Sequence, residues 1–208
     1  MTSTDPLTRL AGELPLLAPS CGPVRLVAVD GHAGSGKSTF AERLAGACGG
    51  APVLHLDDLA SHTALFGWTD RLREEVLGPL GRGESAWYRP YDWEARRMAP
   101  ARELPPAPVV LVEGVGAGRR AVRPFLARLL WMDLAREESW RRGRLRDGPG
   151  QAAFWRGWTA AERRHFAEDP SRPHADTLVR QRIQGGAGGY ALAPGPGRPH
   201  RGPEDDTA

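Results

Sequence analysis

The stretch Gly31-His-Ala-Gly-Ser-Gly36-Lys37-Ser38 constrains this chain more than any other feature. It fits the pattern G-x-x-x-x-G-K-[ST] at every fixed position. Before it runs a short apolar segment, Val24-Arg-Leu-Val-Ala-Val29, with the β-branched content of a buried strand. After it, Phe40, Ala41, Leu44, Ala45 and Ala47 recur at helical spacing. A strand, a glycine-rich turn and a helix in this order make a phosphate cradle. The glycines let successive backbone N–H groups turn inward, and the helix N-terminus adds a favourable dipole. On this reading Gly31, Ala33, Gly34, Ser35, Gly36, Lys37, Ser38 and Thr39 hold the phosphates of a nucleotide. Lys37 supplies a mobile point charge for the terminal phosphates, and the Ser38 hydroxyl is a Mg²⁺ ligand. His32, inside the loop, is expected to orient by neighbouring backbone and not to act in chemistry.

Composition sharpens the point. Of 28 basic residues Lys37 is the only lysine, so a chain that uses arginine everywhere else places a compact ammonium at this one site. The net charge of +3 comes with arginines spread along the chain and no basic stripe interleaved with aromatics, which argues against nucleic acid as a partner. No apolar run approaches the roughly 20 residues of a membrane helix, and the first residues lack a secretory pattern, so a cytoplasmic protein is expected. Cys21 and Cys48 are too few for a disulfide framework or a zinc site.

Further strands are expected at Pro52–Leu56, Val109–Val112, Leu129–Met132 and Asp176–Arg180, with helices at Leu72–Leu80, Arg119–Arg128, Arg136–Arg146 and Gln151–Glu168. Such alternation predicts an α/β fold: a three-layer α/β/α architecture with a parallel sheet of about five strands and a short helical lid. Residues 1–22 read as an N-terminal arm with one short helix around Leu7–Leu17. Residues 23–183 form the domain, and 184–208, rich in glycine and proline, are expected to be a disordered tail.

Carboxylates stand where the strands end, at the edge where open α/β sheets bind ligands. Asp57 and Asp58 follow the second strand; Asp57 can take the proton of an acceptor hydroxyl or hold a metal water. Glu113 ends the third strand and can complete a Mg²⁺ shell. The plain alternative for each is a solvated strand-end or turn carboxylate. Trp87-Tyr88-Arg-Pro-Tyr91-Asp92-Trp93, with Arg96 and Arg97, forms an aromatic and polar cluster suited to a planar acceptor, or equally a plug packing a loop down. Arg142 and Arg146, four apart, share a helix face and can neutralise charge on a transferred phosphoryl group; a solvated arginine face is the alternative. Trp155, Trp158, Glu162 and His165 are explained at least as well by an amphipathic helix on the sheet as by a pocket.

Together the stretches AVDGHAGSGKSTFAERL, HLDDL, YRPYDW, VVLVEGVGAGRR, LLWMD, RGRLRD and PSRPHADTLV resemble the uridine kinase-like group of P-loop nucleoside kinases, over residues 24–180. The resemblance implies a five-stranded parallel sheet with a lid, and ATP with Mg²⁺ as the phosphoryl donor. It implies Asp57 as the base on a sugar 5′-hydroxyl, Ser38 and Glu113 near the metal, and Arg142 and Arg146 at the phosphates. Asp58, Tyr88, Tyr91, Asp92 and Arg96 fall on the nucleoside side. The departures touch the acceptor alone: Leu59-Ala60 replaces an aromatic pair, residues 61–66 are an insertion, Arg96 stands for a histidine, and Ser139 for an arginine. Other small alcohols, a nucleoside monophosphate, or an ATP-binding protein without turnover remain as alternatives. A GTPase is disfavoured, because no N-K-x-D motif is present.

Overall fold

The apolar runs become the central strands of a single sheet in the computed structural model of the chain, which describes residues 5–184 and 187–197. In chain order the elements are α1 (Pro6–Glu13), β1 (Arg25–Asp30), α2 (Lys37–Ala47) and β2 (Val53–His55). A helical stretch follows, made of α3 (Thr69–Arg71), a π-helical segment (Leu72–Leu77) and α4 (Gly78–Gly81). Short antiparallel pairs come next: β3 (Ala86–Tyr88) with β6 (Arg102–Leu104), and between them β4 (Tyr91–Asp92) with β5 (Arg97–Met98). Then come β7 (Val109–Glu113), β8 (Leu126–Met132), α5 (Arg136–Asp147), α6 (Ala152–Glu168), β9 (Thr177–Gln184) and β10 (Ala187–Pro194).

The main sheet has the order β10-β9-β8-β1-β7-β2, parallel throughout except for β10. Its strands are apolar on both faces because both are covered. Leu26 and Ala28 of β1, Val110 and Val112 of β7 and Leu54 of β2 pack towards the helical stretch at 69–81, with Leu72, Val76 and Leu80. Val27, Val29, Leu111 and Leu130 pack the other way, against Phe40 and Leu44 of α2 and Leu10 and Leu14 of α1. This period-two alternation also settles the strand-end carboxylates. Asp30 emerges on the face of the 69–81 helix, while Glu113, in register with His55, emerges on the face of α2.

Several expectations change. The five parallel strands are as expected, but a sixth, antiparallel strand joins them, since residues 187–194 pair along β9 in place of a disordered tail beginning at 184. Tyr190 supplies a buried side chain to this strand, 6% exposed and edge-on to Phe40 at 4.8 Å, and Leu192 packs against the same core. The rest of the expected tail, residues 185–186 and 198–208, lies outside the described residues. The segment 119–128 is not a helix. It forms a turn at Arg123–Phe125 around Pro124, and β8 already begins at Leu126 because its long apolar run is needed beside β1. The N-terminal arm is part of the core through Leu10 and Leu14. The helix near Leu72–Leu80 widens to π geometry, with Gly78 N–H donating to Arg73 O just before Pro79, which has no N–H to donate.

Candidate phosphate-binding and transfer site

The loop leaving β1 is anchored from behind. Asp30 is 0% exposed, and its carboxylate accepts from Gly31 N at 2.6 Å, Gly116 N at 2.9 Å and Gly118 N at 2.9 Å. The aspartate before the loop therefore ties β1 to the turn after β7. At the loop's centre Gly34 has φ +84°, and a Cβ there would lie 2.1 Å from Ser139 O of α5. Only glycine permits this approach.

Lys37, 8% exposed, donates from Nζ to His32 O at 3.1 Å, so the ammonium lies folded along the inside of the loop. One residue on, Ser38 Oγ donates to Glu113 Oε1 at 3.0 Å, and His55 Nδ1 lies 2.6 Å from the same oxygen. His55 and Glu113 meet because they are register partners on neighbouring parallel strands. Burial pushes the Glu113 carboxyl up, but the bonds from His55 and Ser38 and the Lys37 charge outweigh it and hold Glu113 below its ordinary value. The same bond to Glu113 raises the His55 imidazole.

Asp57 sits in the single 3₁₀ turn after β2, Leu56–Asp58. Its side chain is open to the cleft, but the cleft is walled by protein, so burial still counts. That burial and the nearby Glu113 push its carboxyl up, against the pull of Lys37 and His55. Asp58 turns away, accepting from Tyr88 Oη at 3.2 Å and facing Arg102 at 3.6 Å. Tyr88 is buried, and burial together with Asp58 pushes its phenol up to about 12.

From the other side α5 closes over the loop. Arg142 and Arg146 line the same cavity as Ala33, Gly34, Gly36, Lys37, Ser38, Thr39, Asp57 and Glu113, with a volume of 370 Å³. Arg146 also pairs with Asp147 at 2.6 Å, which raises its guanidinium. Arg141, on another face, pairs with Glu138. Gly143 lies over Trp155 of α6, where a Cβ would come within 2.3 Å of the indole. A second cavity, of 480 Å³, shares Arg142 with the first and is bordered by Ser35, Asp133, Arg180 and Gln181.

The structure thus brings together Lys37, Ser38, Asp57, Glu113, Arg142 and Arg146. It does not bring every expected residue there. Gly31 has its amide occupied by Asp30, Ala33 lines the cavity but has its amide occupied by Glu162, and Ser35 faces the second cavity. Asp92 caps the β4–β5 turn through Glu94 N and Ala95 N, and Arg96 adopts φ +53° in that turn, exposed. Tyr91 bonds His62 across 3.0 Å, and both rings pack on Trp93, whose indole donates to Asp57 O at 3.1 Å. His55 was not assigned to the site, and Trp158 and Glu162 were left between lining a pocket and packing a helix on the sheet. The alternation of β2 could have flagged His55, two residues before Asp57; for Glu162 the signal was its i, i+4 spacing from Trp158 on α6. Among the described residues no group of three or more His, Cys, Asp or Glu could hold a metal unaided, and no helix is long and apolar enough to cross a membrane.

No protein-family model and no curated protein matches the chain. Solved structures do. A possible uridine kinase from Bacillus stearothermophilus is similar with a TM-score of 0.61 and 18% identity, over 83% of this chain and 96% of that one. A candidate fructose transport system kinase from Silicibacter sp. TM1040 is similar with a TM-score of 0.54 and 24% identity, over 65% of this chain and 78% of that one. With the loop between β1 and α2, the parallel sheet and these neighbours in hand, the chain has the three-layer fold of the P-loop kinases.

Proposed function

We propose that the protein is an ATP- and Mg²⁺-dependent kinase that phosphorylates a small molecule, with the 5′-hydroxyl of a uridine- or cytidine-like nucleoside as acceptor. One observation carries the reading. Lys37, Ser38, Asp57, Glu113, Arg142 and Arg146 come from four separate parts of the chain and line one cavity. The donor set suits the groups implied. Backbone amides, an ammonium and two guanidinium groups suit a triphosphate, and a hydroxyl with two carboxylates suits a hard cation that keeps waters and phosphate oxygens as its other ligands.

Bound Mg²⁺ would supply charge neutralisation between the phosphates; Ser38 and Glu113 would hold it, with Asp57 near. Asp57 takes the proton from the attacking hydroxyl, late in a loose transition state that needs positioning more than covalent chemistry. Lys37, Arg142 and Arg146 stabilise charge on the phosphoryl oxygens, and α5 keeps water from competing. The second cavity gives the nucleotide base a place beyond Arg142.

A second reading keeps donor and base and changes the acceptor to another small alcohol, in line with the sugar-transport description of one structural neighbour. A phosphorylated acceptor fits less well. Arg89 is spent on the carbonyls of Ala99 and Met98, and Arg96 and Arg97 stand exposed in the hairpin. The test is incubation with ATP, Mg²⁺ and a panel of nucleosides, nucleoside monophosphates, sugars and small alcohols, read by mass spectrometry. A nucleoside gaining one phosphoryl group supports the proposal, and a sugar gaining it supports the second reading. ATP binding with no phosphorylated product from any acceptor overturns both in favour of a protein that binds without turnover.

A further inference from the structure

Glu162 of α6 is 0% exposed, yet it puts a carboxylate beside a cradle built for anions. Its oxygens are fully engaged. Oε1 lies 2.7 Å from His32 Nδ1, and Oε2 accepts from Ala33 N at 3.2 Å and from Trp158 Nε1 at 2.9 Å. His32 cannot easily turn away, because Phe166 and Trp131 meet its ring edge-on at 5.2 and 5.4 Å. Trp158 connects the carboxylate outward, since its indole lines the phosphate cavity. Burial pushes the Glu162 carboxyl up, and the His32 bond and the Lys37 charge more than cancel this, keeping it below its ordinary value.

A negative charge near bound phosphates works against binding unless it does something else. What it does here is geometric. Inside the loop only Ser35 N–H and Lys37 Nζ reach back, both to His32 O, at 3.0 and 3.1 Å, and every residue ordered at binding costs affinity. The Gly34 turn meets α5 and Gly31 is tied to Asp30; between them, the side-chain bonds to His32 Nδ1 and Ala33 N–H come from α6.

We infer that Glu162 is a positioning residue: through His32 and Ala33 N–H it holds the first half of the phosphate loop in its nucleotide-binding shape, making α6 part of the nucleotide site. The inference rests on the reading that this loop takes a nucleotide. It acts before chemistry, so its loss weakens nucleotide binding and leaves turnover at saturation nearly intact. His32 is the intermediary, so removing both residues costs little more than removing one.

The experiment is calorimetry of the full chain with ADP and Mg²⁺ and with ATP and Mg²⁺, for wild type, Glu162→Gln, Glu162→Ala, His32→Gln and the Glu162→Gln/His32→Gln double variant. It is paired with steady-state kinetics and melting curves. No heat from wild type sinks the nucleotide reading itself, whatever the variants do. Given wild-type binding, Glu162→Ala is expected to weaken it roughly tenfold and Glu162→Gln less, because an amide can still accept from Ala33 N–H. The double variant should match the weaker of its single parents, with kcat at saturating ATP within about threefold of wild type. If Glu162→Ala does not fold, Glu162→Gln, His32→Gln and their double decide the matter. Wild-type nucleotide affinity with a lowered melting point, or additive losses in the double variant, would make Glu162 a core partner only and overturn the inference.

Discussion

At the scale of single residues the two groups that matter most have separable duties. Lys37 lies inside the loop with its ammonium on the His32 carbonyl, while Asp57 stands across the cavity on the turn after β2. Lys37→Ala should therefore weaken nucleotide binding strongly. Asp57→Asn should leave that affinity near wild type and cut transfer by a factor of about 10²–10⁴, the range for a lost general base. Titration calorimetry and product formation separate the two, and unchanged turnover in Asp57→Asn would remove it as the base. The pH dependence has a definite sign. Burial and Glu113 raise the Asp57 carboxyl. A base acts only when deprotonated, so the acid limb of kcat/KM, which reports the free protein, should lie above the ordinary carboxylate range, with activity rising as pH increases through it. A limb at or below that range would contradict the environment described for Asp57.

At the scale of elements, stability depends on contacts between segments far apart in sequence. Asp133, just past β8, pairs with Arg172 at 3.1 Å and Arg180 at 2.7 Å. Burial raises its carboxyl, and the bonds from Arg180 and Arg172 outweigh this and hold it low. A depressed folded-state value contributes stability above the ordinary carboxylate value and loses it as pH falls through the folded one. Asp133→Asn should thus melt earlier than wild type at neutral pH, with the gap closing in acid. Between the closing helices, Gly143→Ala would force Trp155 aside and should cost about 1–3 kcal/mol by denaturant titration. At the β10 edge of the sheet, Tyr190→Ala should cost about 3 kcal/mol if β10 belongs to the folded unit; no change would return that segment to the status of a tail.

At the scale of the whole molecule the phosphate loop lies between α5, which meets Gly34, and α6, which bonds His32 and Ala33. A ligand that engages the loop should stabilise the entire domain. Nucleotide with Mg²⁺ at a hundred times its dissociation constant should raise the melting temperature by about 5–10 °C. A scan showing no shift at that concentration would mean that loop and helices are not one cooperative unit. Much of this arrangement was legible beforehand. The loop, its lysine, the strand-end carboxylates and the Arg142–Arg146 face are local patterns: a turn needs glycines, a strand end carries its last side chain to the sheet edge, and four residues make one helical turn. Where local pattern and global need parted, the sequence misled. Residues 126–128 read as the end of a helix until β1 required a partner, and Gly188 and Gly189 looked unfit for structure until β9 presented an open edge. His55 was invisible as a site residue, and Glu162 undecided between pocket and packing, for the same reason, since their partners lie 58 and 130 positions away. By itself, then, the sequence determined that a glycine-rich loop of the phosphate-cradle pattern sits between a buried strand and a helix, because that motif is written in consecutive residues. Which carboxylates face that loop, which of its amides are taken by Asp30 and Glu162, and which helices hold it were decided by strand register and packing, because those depend on distances no stretch of contiguous chain contains.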